Sequence, residues 1–209
     1  MKAIRRLPDS SRKTLYLTFD DGPHHGSTEP ILEVLERHGI HATFFAVAEK
    51  AQRDPGFLRG IRAAGHSIGN HSLDHGYSRF FRGRRALREW IDLAETSLSQ
   101  LIGEPTVGFR PPAGVRTPEL YGVLRDLKMP LVLWSTRFFD TVLPWTRSQA
   151  MKSLRRAHSG DIILLHDRQE LTRLPSFIQT FDTYISGAKS AGFEFEILTR
   201  DKLERDIRA

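Results

Sequence analysis

The 209-residue chain contains no cysteine. That excludes disulfides and thiolate metal sites, so any bound metal must take His, Asp or Glu ligands. No apolar run is long enough to cross a bilayer. The first ten residues are basic but hold no apolar stretch of signal-peptide length. The expectation is a soluble chain, cytoplasmic as written, with export of a processed form left open. No Pro/Gly/Ser-rich linker and no break in composition divides the chain, which reads as an N-terminal segment (1–13) and one folded domain (14–209). What is in surplus is positive charge, with 31 Lys and Arg against 25 Asp and Glu. The densest basic run is Arg79-Phe80-Phe81-Arg82-Gly83-Arg84-Arg85. A solvated loop leading into a helix accounts for it better than a nucleic-acid segment does, because no recognition motif accompanies it. No nucleic-acid partner is expected. Peripheral association with an anionic membrane surface and attraction of phosphate-bearing or lipid-linked glycans stay open.

The chemistry-bearing stretch is Thr18-Phe19-Asp20-Asp21-Gly22-Pro23. Two carboxylates end a hydrophobic strand (Thr14 to Phe19) and meet a Gly-Pro turn, so both are free to converge beyond the strand's carboxyl end. A plain Asx turn is the alternative. A buried carboxylate beside another is costly unless a cation or proton compensates it, and the pair therefore asks for a metal. Asn70-His71-Ser72-Leu73-Asp74-His75 supplies two imidazoles at i and i+4, a spacing that places both on one face of a helical turn. With nine histidines in the chain, that spacing alone is weak, but with the carboxylate pair it becomes specific.

From Ser27 onward helical and strand patterns alternate. Ile31, Leu32 and Leu35 keep helical spacing up to Gly39, and Ile40 to Phe45 reads as a strand. A short helix ending at Gly65 enters a strand over 66–70 that delivers His71. The longest helix carries Leu87, Trp90, Ile91, Ala94, Leu98 and Leu101 on one stripe and stops at Gly103. Thr117-Pro118-Glu119 opens another helix as N-cap, N1 proline and first-turn acid. A strand at 131–134, a helix at 148–157, a strand at 161–165, a helix bearing Phe177, Phe181, Tyr184 and Ala188, and a strand at 193–198 complete the chain. Such alternation is the signature of an α/β fold with a mainly parallel sheet, in which ligands bind at the carboxyl ends of strands. Periodicity does not choose between an open sheet and a barrel.

Four ordered motifs, Thr18 to Pro23, His71 to His75, Arg110-Pro111-Pro112-Ala113-Gly114 and Ile163-Leu164-Leu165-His166, resemble those of the polysaccharide deacetylases, the family with the NodB homology domain (carbohydrate esterase family 4). The resemblance covers residues 14 to about 200. It implies an irregular (β/α) barrel of about seven parallel strands. It also implies a metal-dependent hydrolase removing N-acetyl or similar small acyl groups from amino sugars in a glycan or glycan precursor. Asp21, His71 and His75 would bind one divalent ion, zinc first, with cobalt, nickel or manganese as alternatives. Asp20 would be the general base, Arg110 its holder, Asp140 a contact of Arg110, and His166 the general acid. The backbone N–H of Ala113 would stabilise an oxyanion, Leu164 would wall the acyl pocket, and Pro112 and Trp134 would line the substrate site. His24, His25 and His41 are read as structural or solvent-facing.

Three departures alter the expected groove. Many relatives carry an aromatic residue where Ala113 stands, and where they often read Trp-x-x-Asp-x-x-Asp-Trp, Trp134-Ser135-Thr136-Arg137-Phe138-Phe139-Asp140-Thr141 keeps the second aspartate but has Arg137 for the first and Thr141 for the last tryptophan. Trp145 is the expected replacement for the lost aromatic. An amidohydrolase acting on a small amide and a catalytically silent glycan-binding protein remain as rival readings.

Overall fold

A strand covered on both faces reads as a continuous apolar run, and Thr14–Asp20 has that character. The computed structural model describes residues 2–8 and 12–208; Met1, the segment 9–11 and Ala209 of the termini lie outside them. In it Thr14–Asp20 form β1, buried along its whole length. There follow α1 (Thr28–Arg37), β2 (Thr43–Ala46), α2 (Ala48–Arg53), α3 (Pro55–Ala63) and β3 (Ser67–Asn70). Next come α4 (Arg84–Ile102), α5 (Pro118–Asp126), β4 (Thr136–Arg137) and α6 (Arg147–Leu154). The chain continues through β5 (Asp161–His166), α7 (Leu174–Ser190), β6 (Glu194–Phe195) and α8 (Arg200–Arg208).

Every ladder between these strands is parallel, in the order β3-β2-β1-β5-β4, with β6 beside the start of β1. The sheet closes through short pairings rather than full strands. Val107 N–H donates to the Ile68 carbonyl, Val132 N–H to that of Phe109, and Ser135 N–H to that of Ile162. The segment through Phe109 thus sits between β3 and the chain that becomes β4, and the result is an irregular barrel. Ile4 and Leu7 are buried, and Ile4 N–H donates to the Leu131 carbonyl.

Strand alternation sorts the side chains. Leu15, Leu17 and Phe19 pack outward with Ile163 and Leu165 under the helices, while Tyr16, Phe45, Val132 and Ile162 fill the barrel's interior with Ile4 and Leu198. A third apolar group joins Leu87, Trp90 and Ile91 of α4 to Leu120, Val123 and Leu124 of α5. Each fully buried side chain of this size contributes about 2 kcal/mol. Gly103 ends α4 in the left-handed conformation, and Thr117 caps α5 by accepting the Leu120 N–H.

Two helices, α2 and α8, were not legible from periodicity, since six residues are too few to show it and α8 is largely charged. The expected strand over 193–198 is a ladder at Glu194–Phe195 only.

His66, 4% exposed, accepts the Ala42 N–H at Nδ1 (3.1 Å) beside Phe44 and the ring of His41. Burial, seconded by His41, pushes the His66 imidazole down to about 4 from its ordinary 6.5. The unfolded chain therefore binds the proton more readily, and stability present above pH 6.5 is lost as pH falls toward 4. The loss amounts to roughly 3 kcal/mol. Urea midpoints measured across that window should fall less steeply for His66→Gln than for the parent; parallel slopes would remove His66 as the cause.

Candidate metal centre and catalytic pocket

The register of β1 on β5 pairs Asp20 with His166. Both follow interior positions (Thr18 and Leu164), so alternation aims both side chains into the same end of the barrel. Asp20 is 3% exposed. Asp21 leaves the strand at φ 80°, a left-handed turn that brings its carboxylate to the same spot. Behind the turn, Gly22 lies flat on Asp167: a Cβ at position 22 would meet Asp167 Oδ2 at 1.8 Å. Asp167 is itself fixed, its Oδ2 accepting the Thr28 hydroxyl at 2.9 Å. Burial, opposed by the Thr28 bond and helped by the Asp21 charge, pushes this carboxyl up to about 7. Asp167 was not singled out in the sequence, where nothing but its place beside His166 marks it.

His71 to His75 do not form the helical turn that their spacing suggests. The segment is an irregular loop with Ser72 at φ 79° and His75 at φ 62°. Asn70 Oδ1 accepts the Ser72 N–H (2.8 Å), and Ser72 Oγ accepts the His75 N–H (3.1 Å). Asp74 is held by Trp90 Nε1–H and Gly76 N–H. These side-chain bonds are an Asx-type alternative to a helix, and they bring both imidazoles round by a route that residue spacing does not encode. The unpaired N–H groups at the start of α2 complete the clamp. Val47 N–H donates to the Gly22 carbonyl, Ala48 N–H to Ser72 and Glu49 N–H to Leu73, while Lys50 Nζ donates to the Asp21 carbonyl.

The outcome is a compact donor set. His71 Nε2 and His75 Nε2 lie 3.4 and 3.1 Å from Asp21 Oδ1, and one ligand atom from each residue falls within 4.8 Å of the others. His71 Nδ1–H donates to the Arg110 carbonyl at 2.8 Å, which fixes the tautomer and leaves Nε2 as a lone pair facing Asp21. Burial opposes ionisation of Asp21, but with no cation between them the two imidazoles, when protonated at Nε2, outweigh it as hydrogen-bond donors and hold the carboxyl below the usual range; a bound cation would take the place of those protons. An anion with two imidazole nitrogens aimed at it fits one divalent cation with open positions.

Arg110 is fully buried. Its Nη1 donates to Asp20 Oδ1 (2.7 Å) and Thr18 Oγ1 (2.8 Å), and Nη2 to the Leu133 carbonyl (3.0 Å). Its guanidinium lies 3.9 Å from the Phe45 ring centroid. The expected contact between Arg110 and Asp140 is not made. Asp140 instead holds His166: Oδ1 lies 2.9 Å from Nδ1, and Oδ2 accepts the His166 N–H and Gln169 Nε2–H. Burial works against charge on His166, but the Asp140 hydrogen bond and charge, with Asp20 and Asp21 behind them, push the imidazole up to about 9.

These groups meet in a pocket of about 180 Å3. Asp20, Asp21, His71, His75, Ala113, Trp134, Leu164 and His166 line it; Arg110, Asp140 and Pro112 stand behind. Ala113 sits at φ 52° in a tight 3-10 turn, and Gly114 lies so close to the Trp134 ring that a Cβ there would meet it at 2.7 Å. Trp145 does not replace the missing aromatic: it is 4% exposed and buried among Phe138, Phe177 and Tyr184. The walls come from Tyr77, Phe139 and Val142, which periodicity could not flag, together with Arg137 and Thr141. His25 is exposed between Glu29 and Asp54, and His41 faces solvent.

Residues 8–132 match the family model described as polysaccharide deacetylase. A chitooligosaccharide deacetylase of Azorhizobium caulinodans is 33% identical over 158 residues, covering 75% of this chain and 75% of that protein. A peptidoglycan-N-acetylglucosamine deacetylase of Bacillus cereus is 31% identical, covering 76% and 74%. Among solved structures, the Bc1960 peptidoglycan N-acetylglucosamine deacetylase is 28% identical with a TM-score of 0.83, over 93% of this chain and 89% of that one.

Gly22→Ala should force the Asp21 turn off Asp167, at a cost of about 1–3 kcal/mol in overpacking, and weaken zinc binding at least tenfold. Calorimetric titration with zinc, beside a thermal melt, checks this; parent-like affinity would show that Gly22 does not set the turn.

Proposed function

The chain belongs to the polysaccharide deacetylase family, and on that premise we propose that it hydrolyses the amide of an N-acetylated, or similarly acylated, amino sugar in a glycan. The observation that carries this reading is the placing of Asp20 and His166 in register across β1 and β5, at the mouth that also holds Asp21, His71 and His75. Asp21, His71 and His75 would hold a divalent cation, zinc first, which when bound would supply Lewis acidity toward a water and the amide carbonyl.

The side chains do the proton work. Asp20 is the general base: Oδ1 is tied to Arg110, so Oδ2 is the atom left to take a proton from the attacking water. Because the Arg110 cation is fully buried against it, Asp20 stays oriented without solvent. The N–H of Ala113, at the pocket wall, donates to the oxygen that gains negative charge. As the C–N bond breaks, His166 gives the proton at Nε2 to the departing nitrogen, and its Nδ1–H stays on Asp140. Asp140 is thus a positioning residue. Leu164 bounds the space for a small acyl group, with Trp134 and Pro112 as the adjoining wall. The products are a free amine and a carboxylate.

Acetate release from N-acetylglucosamine oligomers, with chelator and then with zinc or cobalt restored, tests the reaction class. Metal-dependent release is expected, whereas release only from small amides would favour the rival amidohydrolase. Asp20→Asn should lower kcat on the order of 100-fold or more while zinc remains bound; parent-level turnover would contradict the base assignment. His166 must be protonated to act, so activity should fall as pH rises through its raised pKa. In Asp140→Asn that basic limb should move to lower pH by a unit or more, and an unmoved limb would detach Asp140 from His166.

A further inference from the structure

Beside the catalytic pocket runs a wider groove of about 610 Å3, and the two share Arg137 and Phe139 as a common wall. Its charge is one-sided. Arg6, Arg137, Lys152, Arg156 and His158 line it with a single carboxylate, Asp161. That carboxylate is already compensated: Arg6 Nε and Nη2 both lie 2.7 Å from Oδ1, and the His158 N–H donates to Oδ2 at 2.8 Å. Among the described residues, Arg137, Lys152 and Arg156 have no carboxylate partner.

Arg137 is held without spending its donors. Its guanidinium lies 3.7 Å from the Phe139 ring centroid and 5.6 Å from that of Trp134. Stacking on an aromatic face fixes the plane of the group and leaves its N–H fork for a ligand, which lowers the ordering cost of binding. Phe139, at φ 57° and 48% exposed, holds a backbone conformation that bulky residues rarely adopt. Such strain persists where the surrounding structure has a use for it, and here it sets the Phe139 ring as the divider between pocket and groove. Paired oxygens of a carboxylate or a phosphate suit an arginine fork, and two further uncompensated cations along the same groove favour a charged chain over a neutral one.

We propose that this groove is an anion subsite, and that the substrate is a glycan carrying phosphate or carboxylate groups, seated here while the acylamino group enters the catalytic pocket. The proposal rests on the deacetylase reading for its substrate but on the groove for its charge. The test uses metal-loaded protein with Asp20→Asn, so that bound sugar is not consumed, and three probes: chitotetraose with all four amines acetylated, its 6-O-phosphorylated form and its carboxymethylated form. Calorimetry should give affinities for the charged probes at least about tenfold above the neutral one, shrinking as salt is raised. Lys152→Ala with Arg156→Ala should bring the ratio toward one, and Lys152→Glu should lower it further; both sites are exposed, and circular dichroism checks the fold. The better charged probe identifies phosphate or carboxylate as the group read. Equal affinity for all three, or a preference untouched by the variants, overturns the subsite. Acetate release by the parent enzyme is measured separately. Preferential binding without release from any probe sinks the deacetylase reading and leaves the subsite standing, whereas release with no preference for charge sinks the subsite alone.

Discussion

The buried ion pair between Arg110 and Asp20 is the constraint on which the site depends. A cation with no exposed surface must be compensated where it stands, and Arg110 finds its partners in the Asp20 carboxylate, the Thr18 hydroxyl and the Leu133 carbonyl. Those three come from β1 and from the segment that leads into β4, so a single side chain ties opposite walls of the barrel together. Removing either charge would leave the other buried and unpaired, at a cost of about 3–5 kcal/mol. The same residue acts through its backbone, since the Arg110 carbonyl accepts the Nδ1–H of His71 and so decides which nitrogen faces Asp21. The orientations of the Asp20 carboxylate and of the His71 imidazole therefore both depend on Arg110.

Around that pair the barrel works by register. Interior positions on β1 and β5 alternate with positions packed under the helices, and the last interior position of each strand carries a functional group, Asp20 and His166. Polar groups that would otherwise be stranded at element ends are used to hold loops. The first N–H groups of α2 bind the carbonyls of Gly22, Ser72 and Leu73, joining the Asp21 turn to the histidine loop. Glu95 of α4 accepts from Asn70, Ser99 and Thr106, and Asn70 in turn shapes the backbone ahead of His75. Asp21, His71 and His75 are thus set by two loops clamped on rigid elements.

The catalytic pocket and the basic groove meet at one boundary. Ala113 contributes only a methyl group to the wall, and Tyr77, Phe139 and Val142 build the other sides. Arg137 lies over Phe139 at the boundary with the basic groove. Its positive charge stands at the wall of the pocket that holds Asp20, Asp21 and His166.

By itself the sequence determined the alternation of strand and helix, the two carboxylates at the end of β1, the nitrogen and oxygen character of the donor set, and the gathering of motifs at strand ends. Each follows from local rules: hydrophobic period, turn chemistry and the absence of cysteine. Tertiary structure alone decided who touches whom. Asp140 turns to His166 rather than to Arg110, and Trp145 goes into the core beneath α7 rather than into the pocket. Separation along the chain does not choose between them, since Asp140 lies 26 residues from His166 and 140 − 110 = 30 from Arg110. The route from His71 to His75 was equally hidden, because left-handed backbone at Ser72 and His75 comes from hydrogen bonds to Asn70 and from α2, not from residue type. The basic groove belongs to the same class: Arg6, Arg137, Lys152 and Arg156 are scattered through the sequence, and only barrel closure brings their charges onto one wall.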